Sequence, residues 1–374
     1  MTLEEALKAL RDGTPTEINL RSNQIGVEGA QAIAKALKDN KTVTDLDLGG
    51  NNIGGNNKIG YEGAKAIADA LKKNNSLTKL KLTWNEIKDE GAEAIADALK
   101  DNKTVTDLDL EGNEIGYEGA KAIADALKVS TTLTHLNLGA NNMIRDEGAT
   151  AIADALWRNR TGTLTCLNLS DNEIGEDGGK ELAEALKVST TLTELNLKHD
   201  KVDVEGAKAI ARALKKNNSL TKLKLTWNEI GDKGAEAIAE ALEENETLTK
   251  LNLGDNDIGY NGVQAIAKAL EKNKTLTKLN LRDNEIRNID AKAIATALEG
   301  NTTLTELNLR GNDIGDVEDE VIAKEIEKNK TLTKLNLENN KIGDEGAGPG
   351  NSPTNTAEKN KGSSFLGKRK VEGR

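Results

Sequence analysis

His135, Cys166 and Glu194 stand at the same place in three successive copies of a Thr-x-Leu-x-Leu segment. If those segments are neighbouring strands, the three side chains lie side by side, and a thiol beside an imidazole can be nucleophilic. The same place holds Asp, Lys or Glu in other copies, and no oxyanion donors are implied beside it, so accidental juxtaposition outweighs catalysis. Two further stretches imitate binding loops. Asp107-Leu108-Asp109-Leu110-Glu111-Gly112, followed by Glu118, approaches a calcium loop. Leu108 and Leu110 are needed in a strand core, however, and a strand cannot wrap a cation. Gly362 to Lys368 (GSSFLGK) imitates a Gly-rich phosphate loop, but Arg369 replaces the Ser or Thr that would meet magnesium, and no strand precedes it. No enzymatic chemistry, metal or cofactor is expected.

The elements that carry these residues recur throughout the chain. In Leu220 to Leu242 (LTKLKLTWNEIGDKGAEAIAEAL), the first part alternates apolar and polar residues at period 2, as a half-buried strand does. The second part places Ala235, Ile238, Ala239 and Leu242 on one helical face. Neither piece can bury its apolar face alone, so each copy needs neighbours. The closing strand leucines register the array: Leu20, Leu48, Leu82, Leu110, Leu138, Leu169, Leu197, Leu225, Leu253, Leu281, Leu309 and Leu337. The interval is 28 residues, except 34 after Leu48, where the turn Asn51–Gly60 is doubled, and 31 after Leu138. Residues 3–10 predict a cap helix. The expected organisation is therefore a cap over 1–14, twelve repeats over 15–347 with the last incomplete, and a disordered basic tail over 348–374.

Each strand is followed, three residues after its closing leucine, by an Asn: Asn23, Asn51, Asn85, Asn113, Asn141, Asn172, Asn228, Asn256, Asn284, Asn312 and Asn340. A buried Asn there can pair with backbone groups freed as the chain turns. Asp200 replaces it in the seventh repeat, which predicts a weaker turn. The pattern LTxLxLxxNxIGxEGAxAIAxAL resembles leucine-rich repeats of the ribonuclease-inhibitor type, the class also found in NOD-like receptors and the Ran GTPase-activating protein. The resemblance implies an α/β solenoid, a horseshoe with a parallel sheet on its concave face and helices outside. Strand spacing of about 4.8 Å against helix spacing of about 8–10 Å curves such a stack the same way. The eleventh helix is expected to be a more polar terminal one, with Asp319 at a core-facing position.

The formal net charge of −11 argues against bulk affinity for nucleic acid or an anionic membrane. A single cysteine, Cys166, rules out an intrachain disulfide and fits a reducing compartment. With neither a signal peptide nor a run long enough to span a membrane, cytoplasmic location is expected. Lys368-Arg369-Lys370-Val371 resembles a nuclear import signal. Sequons such as Asn40-Lys41-Thr42 and Asn301-Thr302-Thr303 follow from the turn chemistry into each strand.

Binding is the function class left. In the first six repeats the outward strand positions alternate in sign, Asp45 and Asp47, then Lys79 and Lys81, then Asp107 and Asp109. That arrangement is self-neutralising. Later repeats instead carry Lys198, Lys222, Lys224, Lys250, Lys278, Arg282, Arg310 and Lys334, opposed by Glu194, Glu306 and Glu338, a basic band suited to an acidic protein partner. Aromatics make up 2% of the chain, so their placement carries weight. Trp84 and Trp227 follow a strand, and Tyr61, Tyr117 and Tyr260 are expected in the loop leading up to a helix, all on one rim. Aromatic residues are enriched at binding hot spots. Trp157 is expected to plug the enlarged loop before Gly162. Ala70–Ile87 and Ala213–Ile230 are identical, so shared residues can be inherited rather than selected. The chain is expected to be a non-enzymatic protein-binding scaffold, the alternative being a GTPase activator like the Ran-directed one. Self-association through the uncapped last repeat is the other expectation about partners.

Overall fold

The structure, a computed structural model, describes residues 1–51, 58–159, 162–315 and 328–341, and the backbone of 357–358. Most of the doubled turn, the helix of the eleventh repeat with Asp319, the end of the twelfth repeat and nearly all of the 348–374 tail lie outside the described residues. The described chain forms two compact units, residues 1–202 and 203–374.

In the first unit the capping-box sequence Thr2-x-x-Glu5 opens α1 (Leu3–Asp12), and Gly13 closes it in the left-handed conformation. Seven three-residue strands follow: β1 (Glu17–Asn19), β2 (Asp45–Asp47), β3 (Lys79–Lys81), β4 (Asp107–Asp109), β5 (His135–Asn137), β6 (Cys166–Asn168) and β7 (Glu194–Asn196). They pair in parallel, each with the next, and equivalent residues face one another. Between them run α2 (Gly26–Leu37), α3 (Gly60–Leu71), α4 (Lys88–Asp101), α5 (Tyr117–Leu127), α6 (Arg145–Arg158) and α7 (Glu176–Leu186). The second unit repeats the plan with α8 (Asp203–Leu214), β8 (Lys222–Lys224), α9 (Gly231–Glu244), β9 (Lys250–Asn252), α10 (Tyr260–Lys272), β10 (Lys278–Asn280), α11 (Asn288–Gly300), β11 (Glu306–Asn308) and β12 (Lys334–Asn336). Strands β8 to β12 are parallel and in register, and Ala357–Glu358 (β13) adds to β12 in the antiparallel sense.

The strands are shorter than the alternating pattern, yet the backbone ladder outlasts them. In the first unit, Leu82 N–H donates to Asp109 O and Trp84 N–H to Glu111 O, each at 2.8 Å. The core between sheet and helices is aliphatic. In α9 the buried positions include Ala235, Ile238, Ala239 and Leu242, the face expected from spacing. Helices approach closely because alanine meets glycine: a Cβ added to Gly234 would lie 3.0 Å from that of Ala207.

Two asparagine ladders tie each repeat to the one before. At the turn after the strand, fully buried Asn113 donates from Nδ2 to Leu82 O and Leu110 O, both 2.9 Å. Its Oδ1 accepts from Asn85 N (2.9 Å) and Ile87 N (3.4 Å). The ladder's two orphaned amide oxygens among the described residues, Asn85 Oδ1 and Asn172 Oδ1, belong to the repeats that follow the two irregular turns. At the other end of each repeat, Asn74 donates to Leu37 O (2.8 Å) and accepts from Leu77 N (2.8 Å). Sequon residues Asn40 and Asn301 belong to this second ladder; both are buried and hydrogen-bonded.

Helix entry comes in two forms, which the sequence pattern does not distinguish. Lys88, Arg145 and Gly231 begin their helices in the left-handed region. In each case the Asp that follows reaches the next repeat's helix: Asp89 Oδ1 accepts from Gly116 N (2.7 Å) and Gly119 N (2.9 Å). Asp146 does the same for Gly175 and Gly178, and Asp232 for Gly259 and Gly262. The caps of α5, α7 and α10 are thus carboxylates supplied by a neighbouring repeat, favourable both as acceptors and against the helix dipole. Asp146→Ala is expected to cost about 1–2 kcal/mol. Faster hydrogen exchange confined to the first turn of α7 would show it, and unchanged protection there would refute the cap.

Candidate protein-binding face

The identical segments Ala70–Ile87 and Ala213–Ile230 sit in different surroundings. In the first unit Lys79 stands between Asp45 and Asp107, and Lys81 between Asp47 and Asp109. The alternation in sign is real, but it does not close into ion pairs. No lysine–aspartate contact within 4 Å joins these columns among the described residues, a correction to the self-neutralising arrangement. The aspartates turn to the backbone instead: Asp47 Oδ1 accepts from Gly49 N at 2.8 Å and Asp109 Oδ1 from Glu111 N at 3.2 Å. Burial, reinforced by Glu111 and Asp107, pushes the Asp109 carboxyl up to about 6. Beyond it, Asn196 donates to Asn168 and Asn168 to Asn137, both at 2.7 Å, and Asn137 donates to Glu111 at 2.9 Å. The amides of this face are therefore committed to one another.

In the second unit the same strand meets lysine: Lys222 faces Lys250, which faces Lys278. Glu306 then interrupts the column before Lys334. It pairs with Lys278 at 2.7 Å and Lys334 at 3.6 Å. The Lys278 hydrogen bond holds its carboxyl below the usual range, against some burial. These lysines and Lys224 edge a shallow groove of about 340 Å³ across β8–β12, with Asn252, Asn280, Asn308 and Asn336 beside them. Arg282 and Arg310 do not line it. Arg282 binds Asp255 at 2.8 Å, and Arg310 lies 4.0 Å from Glu338. Both therefore serve the edge of the face rather than its middle, because they sit one pleat on, in the turn.

The tryptophans occupy a position that composition does not reveal. The residue before each ladder Asn is left-handed, including Ser22, Trp84, Asp171, His199, Trp227, Asp255 and Asp283, or is a Gly, as at Gly50, Gly112 and Gly311. Non-Gly residues pay about 1–2 kcal/mol there, Asn and Asp least. Trp84 and Trp227 break that local preference and remain 47% and 51% exposed, the combination expected where function outweighs folding. Trp84 covers Gly112 of the next repeat, where a Cβ would stand 2.4 Å from the indole. Trp227 instead donates its indole N–H to Asp255, the carboxylate that also holds Arg282. Burial pushes the Asp255 carboxyl up, against the pull of Arg282.

Tyr61, Tyr117 and Tyr260 are exposed as expected, but they stand in the first turns of α3, α5 and α10 and not in a preceding loop. The helix starts earlier than the apolar pattern: Gly60 is already the first residue of α3, while Gly116 and Gly259 are the non-helical caps directly before Tyr117 and Tyr260. Tyr117 and Tyr260 open carboxylate-capped helices. The Tyr117 hydroxyl is raised by its hydrogen bond to Glu118. Trp157 does not plug a loop. It is 51% exposed near the end of α6, while Leu133, Leu156 and Leu164 fill the interior beneath the loop. His135, Cys166 and Glu194 do lie side by side in β5, β6 and β7. The His135 imidazole hydrogen-bonds the Thr134 hydroxyl at 2.8 Å. No cluster of three metal-ligating side chains occurs, and no helix is long and apolar enough to cross a membrane, among the described residues.

The family model described as the TMOD/LMOD leucine-rich domain matches residues 47–140 and 198–287. The model described as the leucine-rich repeat matches 16–34, 129–153, 163–183, 300–317 and 328–349. The chain is a leucine-rich repeat protein. Its α/β repeats place the strand positions named above on one face of each unit, as such a solenoid requires. Among solved structures, this leucine-rich repeat protein is similar to one titled Leiomodin-1 Actin-Binding Site 2 (ABS2), at 27% identity over 43% of this chain and 78% of that chain, with a TM-score of 0.31. A search of curated proteins returned no match.

Proposed function

We propose that this leucine-rich repeat protein is a non-enzymatic scaffold of the ribonuclease-inhibitor type, which captures an acidic segment of a protein partner on the lysine-bearing face of residues 203–374. The observation that carries this reading is the column Lys222, Lys250, Lys278, Glu306 and Lys334 across β8–β12, four lysines to one glutamate before Glu358 of β13 stands opposite Lys334. Stacking like charges on neighbouring strands is unfavourable for the sheet itself, and the cost is offset when an opposite charge docks. Lys222, Lys224, Lys250 and Lys278 would orient the partner and speed its approach. Trp227 and Tyr260 would supply apolar anchors, and Arg282 and Arg310 would hold the edge in shape.

The duplicated segment provides the control for a test. The triple change Trp227→Ala, Lys222→Ala, Lys224→Ala is expected to weaken binding of an acidic partner about tenfold or more, on the usual scale for a hot-spot residue plus two charges. The matching triple in the first unit, Trp84→Ala, Lys79→Ala, Lys81→Ala, is expected to leave affinity within about twofold, since those lysines already lie among aspartates. Equal losses in the two variants, read by titration calorimetry, would discard the second-unit face.

A further inference from the structure

The second unit differs from the first in what its asparagines do. Asn252, Asn280, Asn308 and Asn336 are adjacent in register across β9 to β12. Each spends its Oδ1 on the backbone N–H two residues on, that of Gly254, Arg282, Arg310 or Glu338, at 2.9–3.1 Å. Their amide nitrogens donate to no protein group among the described residues, whereas Asn137, Asn168 and Asn196 in the first unit are closed into a chain. Lys250 likewise has no ion-pair partner among the described residues. The groove across β9–β12 therefore presents one row of amide donors beside one row of ammonium groups, with Glu306 the acidic residue among the described ones that line it. Such a surface asks for a ligand that offers acceptors at regular intervals, once per strand.

Strand spacing decides which ligand can do so. Neighbouring strands lie about 4.8 Å apart. A helix laid across them returns a side chain to the same face every turn, about 5.4 Å, with successive i, i+3 and i, i+4 steps of about 4.5 and 6.0 Å. An extended segment returns one about every 6.7 Å. Over three strand intervals the helix drifts by about 2 Å, which lysine and glutamate side chains absorb. The extended segment drifts by about 6 Å, more than a whole strand. We propose that the groove across β8–β12 receives a helical segment of the partner, lying across the strands with carboxylates at i, i+4, i+7 and i+11 against the lysine and asparagine rows. This rests on the acidic-partner reading above and adds the conformation of what is bound.

The test uses the full chain and fluorescent 21-residue peptides, read by anisotropy at fixed ionic strength. One peptide is an alanine-rich helix with four glutamates on one face. A second has the same composition with its glutamates spread around the helix, and a third places two prolines mid-sequence so that only extended forms are available. The one-face helix is expected to bind at least about tenfold tighter than either control, and Lys250→Glu with Lys278→Glu to abolish that binding while the far-ultraviolet dichroism of the protein is retained. If the proline peptide binds as well as the helix, the helical occupant is overturned and the acidic-partner reading survives. If no acidic peptide binds, both fail. Tighter binding of a single-stranded oligonucleotide than of any peptide would also overturn both, in favour of a phosphate backbone as ligand.

Discussion

Asp200→Asn is expected to raise stability by about 4 kcal/mol at pH 8 and by little at pH 4. Asp200 is the one ladder position without an amide, and it is 5% exposed. Its Oδ1 takes over the acceptor half of the motif, receiving Asn172 N at 2.9 Å and Ile174 N at 3.1 Å. The donor half is missing: Oδ2 is buried without a partner where other repeats place a donating Nδ2. Burial accordingly pushes the carboxyl up to about 7, against the two backbone donors that pull it down. The sign follows from proton binding. Between the ordinary carboxyl pKa of 3.8 and about 7, the folded chain holds a proton that the unfolded chain has lost. Stability is therefore greatest below about 4, falls as pH rises through this window, and is level above about 7. A gap of about three pKa units corresponds to about 4 kcal/mol. Asparagine supplies the donor at every pH, so denaturant midpoints of the two proteins should converge on acidification. A pH-independent difference would show that Asp200 is not the titrating group.

The expectation of a weaker seventh turn thus came from the right residue with half of the reason. A broken period is visible in sequence, but which oxygen is left over depends on the two leucine carbonyls of adjacent repeats. The same distinction runs through the molecule. Repeat length, the strand leucines, the buried helical face of Ala235 to Leu242 and the ladder asparagines are legible because each is fixed by periodicity within one repeat. Asp89, Asp146 and Asp232 are not, because each caps a helix some 27 to 32 residues further on. Nor is the left-handed position of Trp84 and Trp227, which shows only once its occupants are seen to be mostly Gly, Asp or Asn with two indoles among them. Charge columns give adjacency but not pairing. Lys79 and Asp107 are neighbours that do not meet, while Arg282 finds Asp255. The face is legible as basic. That its asparagine amides are uncommitted is not, because Asn168 and Asn280 stand at the same strand position.

Asn113→Ala should be among the most damaging single changes at a polar residue of the first unit, and Asn23→Ala among the mildest. Asn113 is fully buried and serves five backbone groups drawn from two repeats: Leu82 O, Leu110 O, Glu111 O, Asn85 N and Ile87 N. An alanine leaves Asn85 N and Ile87 N without a side-chain acceptor at about 1–3 kcal/mol each, while Leu82 O keeps Asn85 Nδ2 at 3.0 Å and Leu110 O keeps Asn141 Nδ2 at 3.3 Å. Water entering the vacated space recovers part of that, so a net loss of about 2–4 kcal/mol is expected. Asn23 is exposed, and its amide reaches only Arg21 O at 2.9 Å. Losing it should cost under about 0.5 kcal/mol. Because repeats are stabilised by their neighbours, the damage at Asn113 should spread to both sides. Hydrogen exchange should accelerate in the turns at Asn85 and Asn113 before the rest of the unit, with α1 unaffected at first. Asn113→Asp refines the comparison by recreating the Asp200 arrangement in an otherwise regular repeat. It should cost little at pH 4 and several kcal/mol at pH 8, the reverse of the repair at Asp200. If both substitutions at Asn113 prove as mild as the one at Asn23, the ladder does not hold these repeats together and the leucine core alone must do so.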